Sequence, residues 1–520
     1  MLSILFGILA ILSQQLAEPS NSLSFSYSLI ERIFLLSYSI VFYIIQFIAP
    51  FNLSAMHYLP DNNGGFLAWQ YYASLPFLLF IIWLIFRNTS SKYRQTGLQK
   101  VMVSGFFFFL ITISVMLYVP AGFTLTAERY TYIPYIGLFY IAGQWISNIR
   151  EKQLRLAFFT SKNAVFAMFS VIIIVFSCLT WVRIGVWKNG DVLFTEVIKK
   201  NPYIFHGYMV RGNVKRSNGD YQDALKDYNK ALEYKPGLVL CLINRGIVKI
   251  NLNDYKGAMQ DCNKAIALKP DFAEAYNNRG YVYYGLGDIK SAILDYNKAI
   301  LLKPEFADAY NNRGLAYEGL SNMKSAIFDY SQSILLEPNI AKLYNNRGNA
   351  YFKTGNVKSA IIDYDKAILL EPEFAETYIN RGIANEGLGN LKSAMFDYNK
   401  AIQLNPKSTK AYNSRCLLKI NTKDISGALN DINIAITLSP DNAEAYSYRG
   451  IIKMAIQDYE GSIEDFNFSL KLNPNDNRVY YNRGISRLIL KDTNGACDDW
   501  KKSMEQGNDA ASQMIRQYCY

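Results

Sequence analysis

Prolines stand at Pro202, Pro236, Pro270, Pro304, Pro338, Pro372, Pro406, Pro440 and Pro474, each 34 residues after the last. A constant period of this length marks a chain built from stacked helix pairs. One pair cannot bury its apolar face alone, so neighbours must stack into an α-solenoid. The long wall of such a stack is suited to holding another polypeptide. Nine repeats are expected, starting at residues 205, 239, 273, 307, 341, 375, 409, 443 and 477.

The segment from Ala273 to Glu305 shows the unit. Apolar residues recur at helical spacing on both sides of Gly285-Leu286-Gly287-Asp288, which reads as a turn. Lys303-Pro304 ends the second helix, because proline cannot continue it. Gly280, Ala292 and Ala299 are small where the two helices must approach closely. In these positions and in its period the chain resembles the tetratricopeptide repeat (TPR) family.

Two regularities accompany the period. Arginine precedes the small residue in each copy, at Arg211, Arg245, Arg279, Arg313, Arg347, Arg381, Arg415, Arg449 and Arg483. Aspartate follows sixteen residues later, at Asp227, Asp261, Asp295, Asp329, Asp363, Asp397, Asp431, Asp465 and Asp499. Across a hairpin turning midway between them the two face each other, so a ladder of Arg–Asp pairs is expected. Desolvation offsets much of the attraction in such pairs, and their stronger effect is on register.

The second regularity is asparagine, at Asn244, Asn278, Asn312, Asn346, Asn380 and Asn482, with Asn277, Asn311 and Asn345 beside three of them. A carboxamide both donates and accepts, so a row of them can grip a peptide backbone whatever its side chains. The same residues could instead be solvated or tie neighbouring repeats together, and both readings stand at this point. The tyrosines at 276, 310, 344, 378, 412 and 446 read as packing residues.

Residues 1–200 differ from the rest. They are largely apolar and hold 14 of the 54 Lys/Arg and seven of the 43 Asp/Glu. Stretches near 33–50, 71–86, 101–119, 131–148 and 164–182 approach the ~20 apolar residues that a membrane span requires, and 2–13 is a shorter sixth. Basic loops at 87–100 and 149–162 would face the cytoplasm by the positive-inside bias. The repeats would then emerge on the opposite, extracytoplasmic side. The segment 191–202 fits the second half of a repeat, so the solenoid is expected to follow without a flexible linker.

The run AERYTYIPYIGL, residues 127–138, with residues 31–60 upstream, resembles the membrane region of bacterial TPR proteins related to the TMTC group of protein O-mannosyltransferases. That resemblance implies a GT-C-like bundle using a lipid-linked sugar, with Glu128 and Arg129 in an extracytoplasmic loop. The chain departs from the family in lacking its acidic first loop. The seven acids before residue 200 form no DxD, DD or DxE cluster. No catalytic set is assigned; Asp61, Glu128 and Arg129 are the candidates.

Other chemistry is absent from the sequence. There are two histidines, His57 and His206, and no HExxH, Walker, GxSxG or Rossmann motif. Neither metal nor cofactor is expected. The basic excess is not gathered as a nucleic-acid site requires. The six cysteines, at 178, 241, 262, 416, 497 and 519, are too irregularly spaced for a disulfide framework and read as small buried residues.

The expected fold class is therefore all-α. A polytopic transmembrane helix bundle occupies 1–185, a helical junction 186–204, nine TPR repeats 205–510, and a capping helix 505–520. The expected function is that of a membrane-anchored scaffold binding protein or peptide segments in its groove outside the cytoplasm, its partners being polypeptide and the lipid bilayer. The alternative is a GT-C-like glycosyltransferase whose repeats present acceptor protein to a lipid-linked sugar.

Overall fold

The structure, a computed structural model, describes residues 29–48, 56–58, 67–87, 97–118, 124–127, 134–151, isolated positions between 167 and 181, and 184–519. The first helices are α1 (Leu29–Ile48), α2 (Trp69–Phe86), α3 (Gly97–Tyr118), α4 (Pro134–Glu151) and α5 (Gly190–Lys200). Helix pairs follow: α6 (Phe205–Ser217) and α7 (Tyr221–Tyr234), α8 (Val239–Asn251) and α9 (Tyr255–Leu268), α10 (Ala273–Gly285) and α11 (Ile289–Leu302). Next come α12 (Ala307–Gly319) and α13 (Met323–Leu336), α14 (Ala341–Lys353) and α15 (Val357–Leu370), α16 (Ala375–Gly387) and α17 (Leu391–Leu404). The series ends with α18 (Thr409–Asn421) and α19 (Ile425–Leu438), α20 (Ala443–Ala455) and α21 (Tyr459–Leu472), α22 (Asn477–Ile489) and α23 (Thr493–Glu505), and a last helix α24 (Asp509–Tyr518). Two short strands, β1 (Met56–Tyr58) and β2 (Thr124–Ala127), pair antiparallel with Met56 opposite Ala127. The chain divides into two units, one ending at Asp254 and one beginning at Tyr255.

In the first unit, α1 to α4 share a core of Ile40, Val41, Tyr43, Leu78, Phe106, Phe109, Ile113 and Leu138. Gly105 on α3 and Gly137 on α4 let the two backbones meet, since a Cβ on either would strike the other's carbonyl oxygen. The Tyr135 hydroxyl donates to the Tyr43 carbonyl at 3.0 Å, tying α4 to α1. Ile45, Phe77, Phe80, Trp83, Phe107 and Phe139 remain exposed on the outer faces.

The expectation of a polytopic transmembrane bundle, and with it an integral-membrane location with extracytoplasmic repeats, is corrected here. Among the described residues no helix is long and apolar enough to cross a membrane. Length and end charges both count against them. Both α2 and α4 have 18 residues, a rise of about 27 Å, against a hydrocarbon core of about 30 Å. Pro76 lies inside α2, and α4 ends on Asn148, Arg150 and Glu151. The first turn of α1 carries Glu31 and Arg32, and that of α3 carries Gln99 and Lys100. Residues 2–13 and most of 164–182 lie outside the described residues.

The repeats follow from three local choices. First, the turn inside each hairpin needs a residue with positive φ. That residue is Gly219, Gly287, Gly355 or Gly389 in four hairpins, and Asn253, Ser321, Lys423, Gln457 or Lys491 in five others. Second, an Asp or Asn follows it as helix cap. Asp288 accepts from the Ser291 amide at 3.1 Å, and Asn322 from that of Ser325 at 3.2 Å. Third, the two helices of a hairpin close on a glycine. A Cβ at Gly314 would lie 2.7 Å from the Tyr330 ring, and Gly280, Gly348 and Gly382 stand in the same relation to Tyr296, Tyr364 and Tyr398. One hairpin solves the problem differently: Cys416 takes the glycine's place, and the smaller Ile432 takes the tyrosine's.

Three cysteines fit the expected packing role, Cys241, Cys262 and Cys416 being fully buried. Three do not: Cys178 is exposed, and Cys497 on α23 and Cys519 after α24 form a disulfide. Their separation of 22 residues hid the pair, which becomes adjacent only when α24 folds back. There Ala511 and Ile515 pack on Ala496 and Trp500, covering the end of the stack.

Candidate peptide-binding wall

Within the second unit, the first helices of neighbouring repeats approach one another more closely than the second helices do. The pairs α10–α12, α16–α18, α18–α20 and α20–α22 are in contact. The first helices therefore line the inner side of the stack, and their polar residues make its wall.

The arginines hold that wall together. In eight hairpins the guanidinium donates twice to the aspartate sixteen residues on; Arg313 Nε and Nη2 reach Asp329 at 2.7 Å each. The remaining Nη1 reaches back sixteen residues into the previous hairpin. Arg279 meets Asn263 at 2.9 Å, Arg313 meets Asn297 at 2.6 Å, and Arg415 meets Asn399 at 2.7 Å. Each guanidinium also lies over the tyrosine three residues earlier, Arg313 at 5.5 Å from the Tyr310 ring. The Tyr276, Tyr344 and Tyr378 hydroxyls donate to the carbonyls of Pro270, Pro338 and Pro372 at 3.1 Å. These tyrosines are packing residues, and the arginine is a staple joining two hairpins. The backward reach of Nη1 was not anticipated from the spacing, although an Asn at 263, 297, 399, 433 and 467 signals it.

The asparagines form a second ladder. The Asn312 amide donates to Asn277 at 3.0 Å, Asn346 to Asn311 at 3.0 Å, and Asn380 to Asn345 at 3.1 Å. In the first unit Asn244 donates likewise to Asn213 at 3.0 Å. Within a repeat, Asn277 and Asn311 face the Oδ1 of Asn278 and Asn312 at 3.5 Å. Asn277, Asn311, Asn345, Asn346 and Asn380 are buried, while Asn278, Asn312 and Asn482 are half-buried. The tie between repeats is thus real. It consumes one N–H and one lone pair of each linked pair and leaves the rest of the carboxamide's capacity unspent. Asn278 differs, because its Nδ2 has no partner.

The ladder ends at Asn380, because Ile379 and Ser414 stand where the next pair would be, and beyond that gap lies Asn413. This residue occupies the place of Asn277, Asn311 and Asn345, and 35 positions on from it stands Tyr448 in place of an asparagine. The Tyr448 hydroxyl turns to Glu444 instead. The Asn413 Oδ1 is left buried without a donor, on a side chain 5% exposed. The Asn413 side chain lines a cleft of about 460 Å³ together with Glu386, Tyr398, Lys410, Glu444 and Tyr448. Sequence reasoning missed this group; the lapse of the asparagine spacing at Tyr448 is the signal that could have found it.

Asp61, Glu128 and Arg129 lie outside the described residues. Among the described residues no three His, Cys, Asp or Glu side chains gather as metal ligands would.

Comparison with known proteins agrees with the repeat architecture. Family models described as tetratricopeptide repeat or TPR repeat match residues 205–237, 246–287, 281–321, 307–340, 341–374 and 375–408. These repeats are tetratricopeptide repeats, and the fold they build is an all-α TPR solenoid. The chain is 32% identical over 124 residues to Protein O-mannosyl-transferase tmtc2 of Xenopus laevis; the match covers 24% of this chain and 14% of that protein. A tetratricopeptide repeat protein from Parabacteroides merdae is 19% identical with a TM-score of 0.41, over 48% of this chain and 99% of that one. YrrB, described as a TPR protein with an unusual peptide-binding site, is 21% identical with a TM-score of 0.30, over 35% of this chain and 95% of that one.

Proposed function

We propose that the chain is a TPR scaffold that holds an extended polypeptide segment along the inner wall of its repeats. The observation carrying this reading is the asparagine row on the first helices. In the second unit the carboxamides of Asn278, Asn312 and Asn346, flanked by those of Asn277, Asn311 and Asn345, with Asn380 and Asn482 at two further repeats, recur in five of its seven helix pairs. Each retains a donor or an acceptor after its tie to the next repeat. An extended chain presents alternating N–H and C=O groups at short intervals, so a row of two-way carboxamides suits its backbone in any sequence.

Asn278 gives the cleanest test, because its Nδ2 has no intramolecular partner to lose. A random peptide library displayed on phage is selected on the wild-type protein, and the recovered peptides are measured against Asn278→Ala and an Asn278/Asn312/Asn346 triple alanine variant. Asn278→Ala should weaken peptides several-fold with an unchanged melting temperature. The triple variant should lose binding and some stability together, because two of its three residues also tie repeats. Undiminished affinity in both variants removes the asparagine row from the binding site.

A further inference from the structure

The cleft at Asn413 has a polar census that selects its occupant. The Tyr398 hydroxyl donates to Glu386 Oε2 at 3.0 Å, and the Tyr448 hydroxyl donates to Glu444 Oε1. Both phenol protons are thereby committed, and the oxygens present only lone pairs to the cleft. Burial, and then the neighbouring glutamate, pushes each of these phenols above its ordinary pKa, so both stay protonated. Glu386 Oε1 accepts from Asn421 at 3.1 Å and keeps further acceptor capacity, as does Glu444, which is exposed. The Asn413 Oδ1 has no donor at all. Of the cations nearby, Lys410 is engaged by the Asn380 Oδ1 at 3.1 Å, and Arg478 by Asp476 at 3.4 Å. Against two carboxylates, two phenol oxygens and the orphaned carbonyl oxygen the wall sets one cation, Lys410, together with Thr409, Ser414 and Asn442, so its formal charge is negative by one.

We propose that this cleft takes the ammonium or guanidinium end of a lysine or arginine side chain from the polypeptide lying on the inner wall. The assignment rests on the peptide-binding reading above and adds a side-chain preference to it at one place. The cationic head supplies the donor that Asn413 lacks and bridges towards Glu386 and Glu444. Its aliphatic stem lies against Ile383 and Leu417, which line the same cleft. A neutral side chain with few donors leaves the Asn413 oxygen unsatisfied, and an acidic one meets two like charges.

The test uses the full chain and three fluorescein-labelled nonapeptides of Gly, Ser and Ala. One carries a central arginine, the second citrulline and the third alanine there; citrulline keeps the shape and removes the charge. Anisotropy titrations should show the arginine peptide about tenfold tighter than either other peptide, as a charge-assisted pair requires. Glu444→Gln, at an exposed position and with an amide oxygen still able to accept from the Tyr448 hydroxyl, should erase most of that preference. Asn413→Asp should enlarge it without helping citrulline. Equal affinities for the three peptides, all weakened by Asn278→Ala, overturn the cleft assignment and leave the wall standing. If none of the three binds, both readings fail.

Discussion

Replacing Arg313 and Asp329 singly and together measures what the arginine staple does. Asp329 is 1% exposed, and both its oxygens are held by Arg313. Arg313→Leu leaves a buried carboxylate without its partner, which costs about 3–5 kcal/mol. It also removes the Asn297 bond in the preceding hairpin and the stack on Tyr310. Asp329→Leu leaves the guanidinium, whose side chain is 16% exposed and can still reach water, so the loss should be smaller, roughly 2 kcal/mol. The double variant strands no charge and replaces the pair by apolar volume, a change that is often near neutral. The coupling energy is then about 5–7 kcal/mol, the sum of the two single losses, far above the ~0.5 kcal/mol at which independent sites add. Arrays of repeats do not unfold in one step. The assay is therefore native-state hydrogen exchange at the amides of α12 and α13, which reports the stability of that hairpin. Exchange free energies that add across the cycle would show that the two residues do not work as a pair. Protection unchanged in α11 on loss of Arg313 would refute the staple between hairpins.

Four further outcomes follow from the packing. Gly314→Ala places a methyl 2.7 Å from the Tyr330 ring and should cost about 2 kcal/mol; adding Tyr330→Ile should recover part of it in thermal melts, because Cys416 and Ile432 already coexist in that way. Lys423→Gly, Gln457→Gly and Lys491→Gly each relieve a positive φ and should add about 1 kcal/mol apiece, read as a stepwise rise in melting temperature. Burial pushes the His206 pKa down to about 4 from 6.5; because the folded value is depressed, the stabilisation is full above pH 6.5 and is lost as pH falls towards 4, by up to about 3 kcal/mol. His206→Gln should flatten that slope in chemical denaturation. Reducing the Cys497–Cys519 bond, or Cys519→Ser, should release a closure worth about 3 kcal/mol and open α24 to proteolysis while α10 to α21 keep their protection.

The repeats were legible because each is specified by local chemistry repeated in phase. Proline stops the second helix, Asp or Asn caps it, and a small residue admits the tyrosine ring; all three are visible in one copy and certified by the others. The Arg–Asp pairs were legible for the same reason, being intrahairpin contacts at constant separation. The backward bond from Arg313 to Asn297 was not, because its partner is variously Asn, Ser, Thr or Asp and lies in another repeat. The N-terminal helices were misjudged from apolar content. Hydropathy registered the runs, but not that Pro76 falls inside α2 or that charged residues occupy the first turns of α1 and α3 and the end of α4. The disulfide depends on α24 folding back on α23, a tertiary event with no trace in spacing.

Where the period holds, its polar residues are spent on one another: arginine on aspartate, asparagine on asparagine. Such a wall is stable and has little left over with which to discriminate among ligands. Discrimination needs groups whose partners are missing, and those arise where the period lapses. Tyr448 in place of asparagine denies Asn413 the donor that its counterparts have and leaves an acceptor buried. The cost of that orphan in the empty protein is about 1–3 kcal/mol, and a ligand that supplies the donor recovers it. A binding preference built in this way should be confined to α16–α20 and should disappear if the ladder is restored. Tyr448→Asn supplies Asn413 with the partner that its counterparts have. The variant should gain stability in α18 and α20 by hydrogen exchange and lose its preference for the arginine peptide. A variant that gains the stability yet keeps the preference would separate the orphaned oxygen from recognition and leave the two glutamates to account for it alone.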